Sequence, residues 1–328
     1  MNVLYIIGNG LDISLGMKTD YQSFYDYYSA LETKDADINN LKANIEAGRY
    51  QTWADLEAGL GDYTKYLGNE KVFLKCLEHM KRSLETYLTE QFNKRDYSIV
   101  NRFMNDFYNP EKYLDSKIKE RYDSFIDGIS LPLRDFSIRI VTLNYTSTLE
   151  NICSSLKVPV PELLHLHGSI EDGIVMGVSD EDQIGNEAFR RNRNVTEDFV
   201  KPSYNDACLN NNNAICERWI READLIVLFG TSLGETDRKW WRMVGKQLIS
   251  AELDTMIIYF AFDKDKDCRL HPNHRLRWTE EYQHYLLTRL EIPESRIDGV
   301  LSHLCIGINK PIFHLEKKTS PPIPPKAQ

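Results

Sequence analysis

Four short stretches carry side chains able to handle a nucleotide: Gly8-Asn9-Gly10-Leu11-Asp12, Thr142-Leu143-Asn144-Tyr145-Thr146, His165-Leu166-His167-Gly168 and Gly230-Thr231-Ser232-Leu233. In the first, two glycines let the backbone take positive φ and come close to a ligand. A helix starting behind them would offer N–H groups to a pyrophosphate. The spacing is not GxGxxG and no GK[ST] follows, so a tight βα turn is the alternative reading. The Asn144 amide could grip a sugar hydroxyl or fix a water, or it could cap a turn. His165 and His167 stand two apart and on a strand would face one side. Histidine titrates near neutral pH and suits a general base, although most single histidines merely pack. The pair could also bind a metal, but no third ligand cluster accompanies it. Thr231 and Ser232 suit contacts to ribose or adenine; the alternative reading is a βα turn with Thr236 or Asp237 capping the next helix. Trp53 and Glu57, four apart, would share a helix face and either close over the site or simply pack.

These stretches need a scaffold that brings them together. Asn2–Ile7, Phe136–Asn144, Glu162–Gly168, Ala223–Gly230 and Thr255–Phe262 read as strands, each short and apolar, and 173–178 as a further one. Helical patterns cover Tyr21 to about Leu31, the segment after Thr146, Tyr204 to Glu222, and the stretch after Glu235. Alternating strands and helices predict a doubly wound, mostly parallel α/β sheet of Rossmann type. Such sheets bind ligands outside the carboxyl ends of their strands, where all four stretches fall. Residues 35–127 read as an all-α insertion of four or five helices, opened in part by the WADLE segment, Trp53 to Glu57. The nucleotide-binding domain would then comprise 1–34 and 128–310, with 179–202 a long polar loop. Residues 311–328 would be a disordered proline-rich tail.

Composition narrows the classes. The 328 residues carry a formal charge of −9, which argues against general affinity for nucleic acid. The six cysteines contain no CxxC pair, so a zinc ribbon is not expected. No secretory pattern and no run of ~20 apolar residues is present, which predicts a soluble cytoplasmic protein with no membrane partner.

In chain order the four stretches resemble sirtuin-type NAD-binding motifs. Gly8-x-Gly10-x-Asp12 with Gly16 keeps the spacing of the sirtuin glycine loop, Thr142-Leu143-Asn144 that of TQN, and His167-Gly168-Ser169 that of the histidine motif. Gly230-Thr231-Ser232-Leu233 repeats the sirtuin GTSL. The sirtuin cysteine pairs are missing, Thr146 stands where sirtuins carry Asp, and Asp12 where they carry Ser. Together with the KTDYQSF and WADLE segments, the chain is similar over about residues 3–240 to the AbiH family of phage abortive-infection proteins. The resemblance implies a sirtuin-like fold and, as chemistry, hydrolysis of NAD at its nicotinamide–ribose bond, with NAD as substrate and no metal. Asn144 and His167 would be catalytic. Gly8, Asn9, Gly10, Asp12, Thr19, Thr142, Tyr145, Gly168, Gly230, Thr231 and Ser232 would hold the nucleotide, and His165 would support them. A homo-oligomer or an activating phage or host protein would provide the switch. A non-catalytic NAD or ADP-ribose sensor, a metal-dependent phosphohydrolase and a plain interaction protein are the alternatives.

Overall fold

Six short runs become parallel strands, four of them almost wholly buried and the two nearest one edge only partly so. A computed structural model describes residues 1–94, 102–128, 136–250 and 254–313 of the chain. Its strands are β1 (Asn2–Ile7), β2 (Ser137–Thr142), β3 (Glu162–His165), β4 (Leu225–Phe229), β5 (Met256–Ala261) and β6 (Leu304–Ile308). They form one sheet in the order β3-β2-β1-β4-β5-β6, every pairing parallel. This is the doubly wound order, and the chain reverses direction across the sheet between β1 and β4, where a ligand crevice is expected.

The period-two alternation of β1 divides two cores. Leu4 and Ile6 face a core that includes Trp219, Trp241 and Trp278, while Val3, Tyr5 and Ile7 face one that includes Phe103, Phe107 and Phe313. The helices among the described residues are α1 (Gly10–Ser14), α2 (Tyr21–Ala30), α3 (Ala36–Gly48), α4 (Leu56–Tyr63), α5 (Glu70–Asn93), α6 (Arg102–Tyr108), α7 (Ser116–Gly128), α8 (Thr148–Leu156), α9 (Glu187–Arg190), α10 (Arg193–Phe199), α11 (Lys201–Ala207), α12 (Asn212–Glu222), α13 (Arg238–Leu248), α14 (Arg275–Arg289) and α15 (Ile297–Val300). Helices α12, α13 and α14 cover the tryptophan-rich face, and α6, α7 and α8 the other. A third core joins α2–α5 to α9 and α10 through Phe24, Trp53, Phe73, Phe189 and Phe199.

Several expectations change. The 35–127 stretch is not one body: α3–α5 belong to the third core, whereas α6 and α7 roof the sheet. The expected polar loop 179–202 contains α9 and α10, each started by an asparagine whose side chain accepts backbone N–H bonds, Asn186 from Ala188 and Asn192 from Asn194 and Val195. The expected Tyr204–Glu222 helix is two helices, α11 and α12. The expected strand 173–178 shrinks to a two-residue hairpin arm pairing 173–174 with 168–169. Ile312 and Phe313, assigned to the tail, are buried in the core beside Tyr5; the rest of the tail, from residue 314, lies outside the described residues. Among the described residues no helix is long and apolar enough to cross a membrane.

Candidate functional site

The turns after β1 and β4 touch before any ligand is considered. Gly8 N–H donates to the Phe229 carbonyl at 2.9 Å and Gly10 N–H to the Gly230 carbonyl at 2.7 Å. A Cβ on Gly10 would collide with Gly230 Cα, and one on Gly8 would lie 2.6 Å from Gly230 O. These glycines therefore serve turn-to-turn contact. Neither has positive φ, as had been expected of them; Gly230 does, at +66°. The expected pyrophosphate cradle is corrected accordingly, because the amides of Gly8 and Gly10 are already engaged. The Asn9 side chain likewise pairs with Thr19, accepting its hydroxyl and donating to its carbonyl.

Around this junction opens a cavity of about 880 Å³. Gly8, Asn9, Gly10, Asp12, Thr19, Asn144, Tyr145, His167, Gly230, Thr231 and Ser232 all line it. Of the expected set, Thr142 and Gly168 stand behind the wall. The Thr142 hydroxyl accepts the Asn144 N–H at 3.1 Å, and Gly168, with φ +72°, turns the 168–174 hairpin.

Asn144 and His167 each aim a buried polar atom at no protein partner: Asn144 Oδ1 and His167 Nδ1. Natively folded proteins leave few such atoms, so an orphan pair in one cavity points to a ligand or water. Asn144 is anchored by its backbone. His165 Nδ1 lies 3.1 Å from its carbonyl, and His165 Nε2 lies 2.7 Å from Glu150 Oε1. Both ring nitrogens of His165 are thus engaged. Burial would lower its pKa, but the Glu150 carboxylate outweighs burial and raises it.

His167 Nε2 lies 2.8 Å from Asp237 Oδ1. Asp237 had been expected to cap α13, but its side chain makes no capping bond there. Burial alone would raise its pKa; the Lys201 ammonium and His167 outweigh that and hold it well below the usual carboxylate range. An ionised carboxylate only accepts, so His167 Nε2 carries hydrogen, and Nδ1 is the ring nitrogen left without a protein partner.

Behind Asp237 lies a buried ion cluster. Lys201 Nζ is 2.7 Å from Glu57 Oε2 and 3.0 Å from Asp237 Oδ1. Burial would strip the ammonium of its proton, but the two carboxylates outweigh it and raise its pKa. Glu57 is pushed upward, first by burial. It also accepts the Gly177 N–H at 3.1 Å and the Tyr145 hydroxyl at 3.4 Å. Trp53 does not share Glu57's helix face. The helix starts at Leu56 with Asp55 as its cap, and Trp53 packs edge-on against Tyr25 in the third core. Asp12 is buried with its oxygens accepting the hydroxyls of Thr146 at 2.6 Å and Thr148 at 2.8 Å, and burial lifts its pKa to about 6. Its side-chain bonds go to these two threonines and not to His167.

Sequence reading missed Lys201, which stands in what looked like loop and carries no local signal. It mis-assigned Asp237, although Gly234-Glu235-Thr236-Asp237 follows directly on the GTSL stretch. Glu57 was read as sharing a helix face with Trp53; it pairs with Lys201 instead. A comparison with curated proteins found no match. Residues 4–259 match the family described as Bacteriophage abortive infection AbiH. With most of its length covered by that match, the chain belongs to the AbiH family.

Proposed function

We propose that this AbiH protein acts in abortive infection by hydrolysing NAD at the nicotinamide–ribose bond. One observation carries the reading: Asn144 Oδ1 and His167 Nδ1 are both buried and unpartnered, on two residues that line the cavity at the sheet's reversal point. Its volume of about 880 Å³ falls in the range of about 300–1,000 Å³ usual for small-molecule sites.

The reaction breaks C1′–N of the nicotinamide riboside and forms C1′–O from water through an oxocarbenium-like state, the same problem met in glycoside hydrolysis. The bonding pair leaves with nicotinamide, whose ring becomes neutral. Asn144 Oδ1 accepts a hydrogen from the attacking water or a ribose hydroxyl and fixes its direction. His167 Nδ1 takes the water's second proton, and the Asp237 carboxylate stabilises the resulting imidazolium. Products are nicotinamide, ADP-ribose and a proton. The cavity's acids Asp12, Asp55, Glu57 and Asp237 are engaged by hydroxyls, helix amides or the Lys201 ammonium, and neutral donors remain for the substrate. Thr231 is one of these: its hydroxyl accepts the Leu233 N–H at 3.2 Å and keeps its own hydrogen for the ligand.

Nicotinamide release from NAD, followed chromatographically, tests the reading. Activity should fall about 10²–10⁴-fold in His167→Ala, the usual worth of a positioned base, and strongly in Asn144→Ala. Equal release from both variants and the parent would overturn it, and NAD binding without release would leave a sensor. Unchecked NAD loss is lethal, so activity requires a trigger, supplied by oligomerisation or by a phage or host protein. Native mass measured with and without phage lysate should show a change of assembly that parallels nicotinamide release.

A further inference from the structure

A second cleft, of about 640 Å³, lies on α13 and the end of α12 and has the opposite electrostatic character to the first. Its wall carries Arg221, Arg238, Lys239, Arg242 and Lys246 against one carboxylate, Asp180, in a chain whose net charge is −9. Arg238, Arg242 and Lys246 recur every four residues and so form one stripe along α13, a like-charge spacing that destabilises a helix on its own. Three of the cations have protein partners: Arg238 is 3.8 Å from Asp180, Lys239 2.9 Å from Glu217, and Arg242 2.7 Å from Glu291. Among the described residues no carboxylate pairs with Arg221 or Lys246, both exposed.

We infer that this cleft binds a short linear polyphosphate, free or carried by a nucleoside, at a site separate from the Asn144–His167 cavity. Guanidinium forks and ammonium groups around a pocket of this size match several adjacent phosphates. The acidic remainder of the molecule repels an extended nucleic-acid backbone, which selects a small ligand over a long one. Helix α13 carries this stripe and also begins directly after Asp237, the partner of His167.

Calorimetric titration of the full-length protein with inorganic tripolyphosphate at low salt, in parallel with ATP and a 20-nucleotide DNA strand, tests the assignment. Saturable one-to-one tripolyphosphate binding is expected, weakening as salt rises. The double variant Arg221→Ala/Lys246→Ala should bind at least tenfold more weakly, with unchanged thermal unfolding because both side chains are exposed. Asn144→Ala should bind as the parent does. Tighter binding of ATP than of tripolyphosphate would identify the nucleoside-borne form, and equal binding the free chain. Absence of saturation at millimolar tripolyphosphate would overturn the assignment. So would undiminished binding by the double variant, loss in Asn144→Ala, or preference for DNA.

Discussion

At the scale of single residues, the proposed hydrolysis uses His167 as its base because Asp237 takes the ring's other nitrogen. Asp237→Asn keeps the shape but replaces an obligate acceptor with a group that can also donate, so the lone pair no longer has a fixed nitrogen. Nicotinamide release should drop about 10²-fold or more, with circular dichroism unchanged; near-parental turnover would show that Asp237 does not set the ring. Asp12 behaves differently. Burial lifts its pKa to about 6 although two threonine hydroxyls favour the ionised form. The folded state therefore prefers the proton: the associated stability is full below the ordinary carboxylate range near 4 and is lost as pH rises through about 6. Asp12→Asn removes that loss, so it should stabilise by about 1–3 kcal/mol at pH 8 and by less at pH 5, at about 1.4 kcal/mol per pKa unit. Urea unfolding at the two pH values measures this, and an equal effect at both would contradict it. Asn144 and His167 could be picked out because their stretches resemble the sirtuin TQN and histidine motifs; as single residues, a turn asparagine and a packed histidine are the commoner readings. Lys201 could not, since its meaning comes only from Glu57 and Asp237, respectively 144 and 36 residues distant in sequence.

At the scale of elements, the site depends on how closely β1 and β4 deliver their turns. Gly230 sits at φ +66°, and a Cβ there would come 2.8 Å from Leu11 N and 2.9 Å from Gly10 Cα. Both the backbone and the neighbouring turn resist a side chain. Gly230→Ala should cost about 1–2 kcal/mol from left-handed backbone alone, and more from the clash. It should also pull Thr231 away from Gly8, so nicotinamide release should fall by more than the unfolding midpoint implies. Unchanged stability and activity would mean that the two turns are free to part. The central strands were legible because β4 and β5 are continuous buried apolar runs bounded by turn signals. The 173–178 segment misled, being apolar yet serving the third core: Ile174, Met176 and Val178 pack there and not in the sheet. Helices α9 and α10 were obscured by their polarity; their asparagine caps were the readable signal.

At the scale of the whole molecule, the cavity lies where the sheet meets the third core, and one buried ion cluster spans the seam. Glu57 comes from α4, Asp237 from the turn after β4, and Lys201 from α11. The sequence marks the helical stretch as distinct but cannot show which of its helices fold onto the sheet, because the amphipathic pattern is the same in either partnership. Lys201→Met tests the seam. Methionine keeps much of the apolar stem and removes the charge, leaving two largely buried carboxylates without their counter-ion. Breaking a buried pair in this way costs about 3–5 kcal/mol. Without the ammonium, burial governs both acids and raises their pKa values, so the loss should be full at pH 8 and shrink toward pH 5 as they take up protons. Glu57→Leu in the same chain removes one of the two charges and should recover part of the stability without restoring turnover, since Asp237 still lacks its counter-ion. Denaturant unfolding of the parent, the single and the double variant at both pH values resolves these effects. A pH-independent loss below about 1 kcal/mol for Lys201→Met would show that water reaches the seam and that the third core is held to the sheet by apolar packing alone.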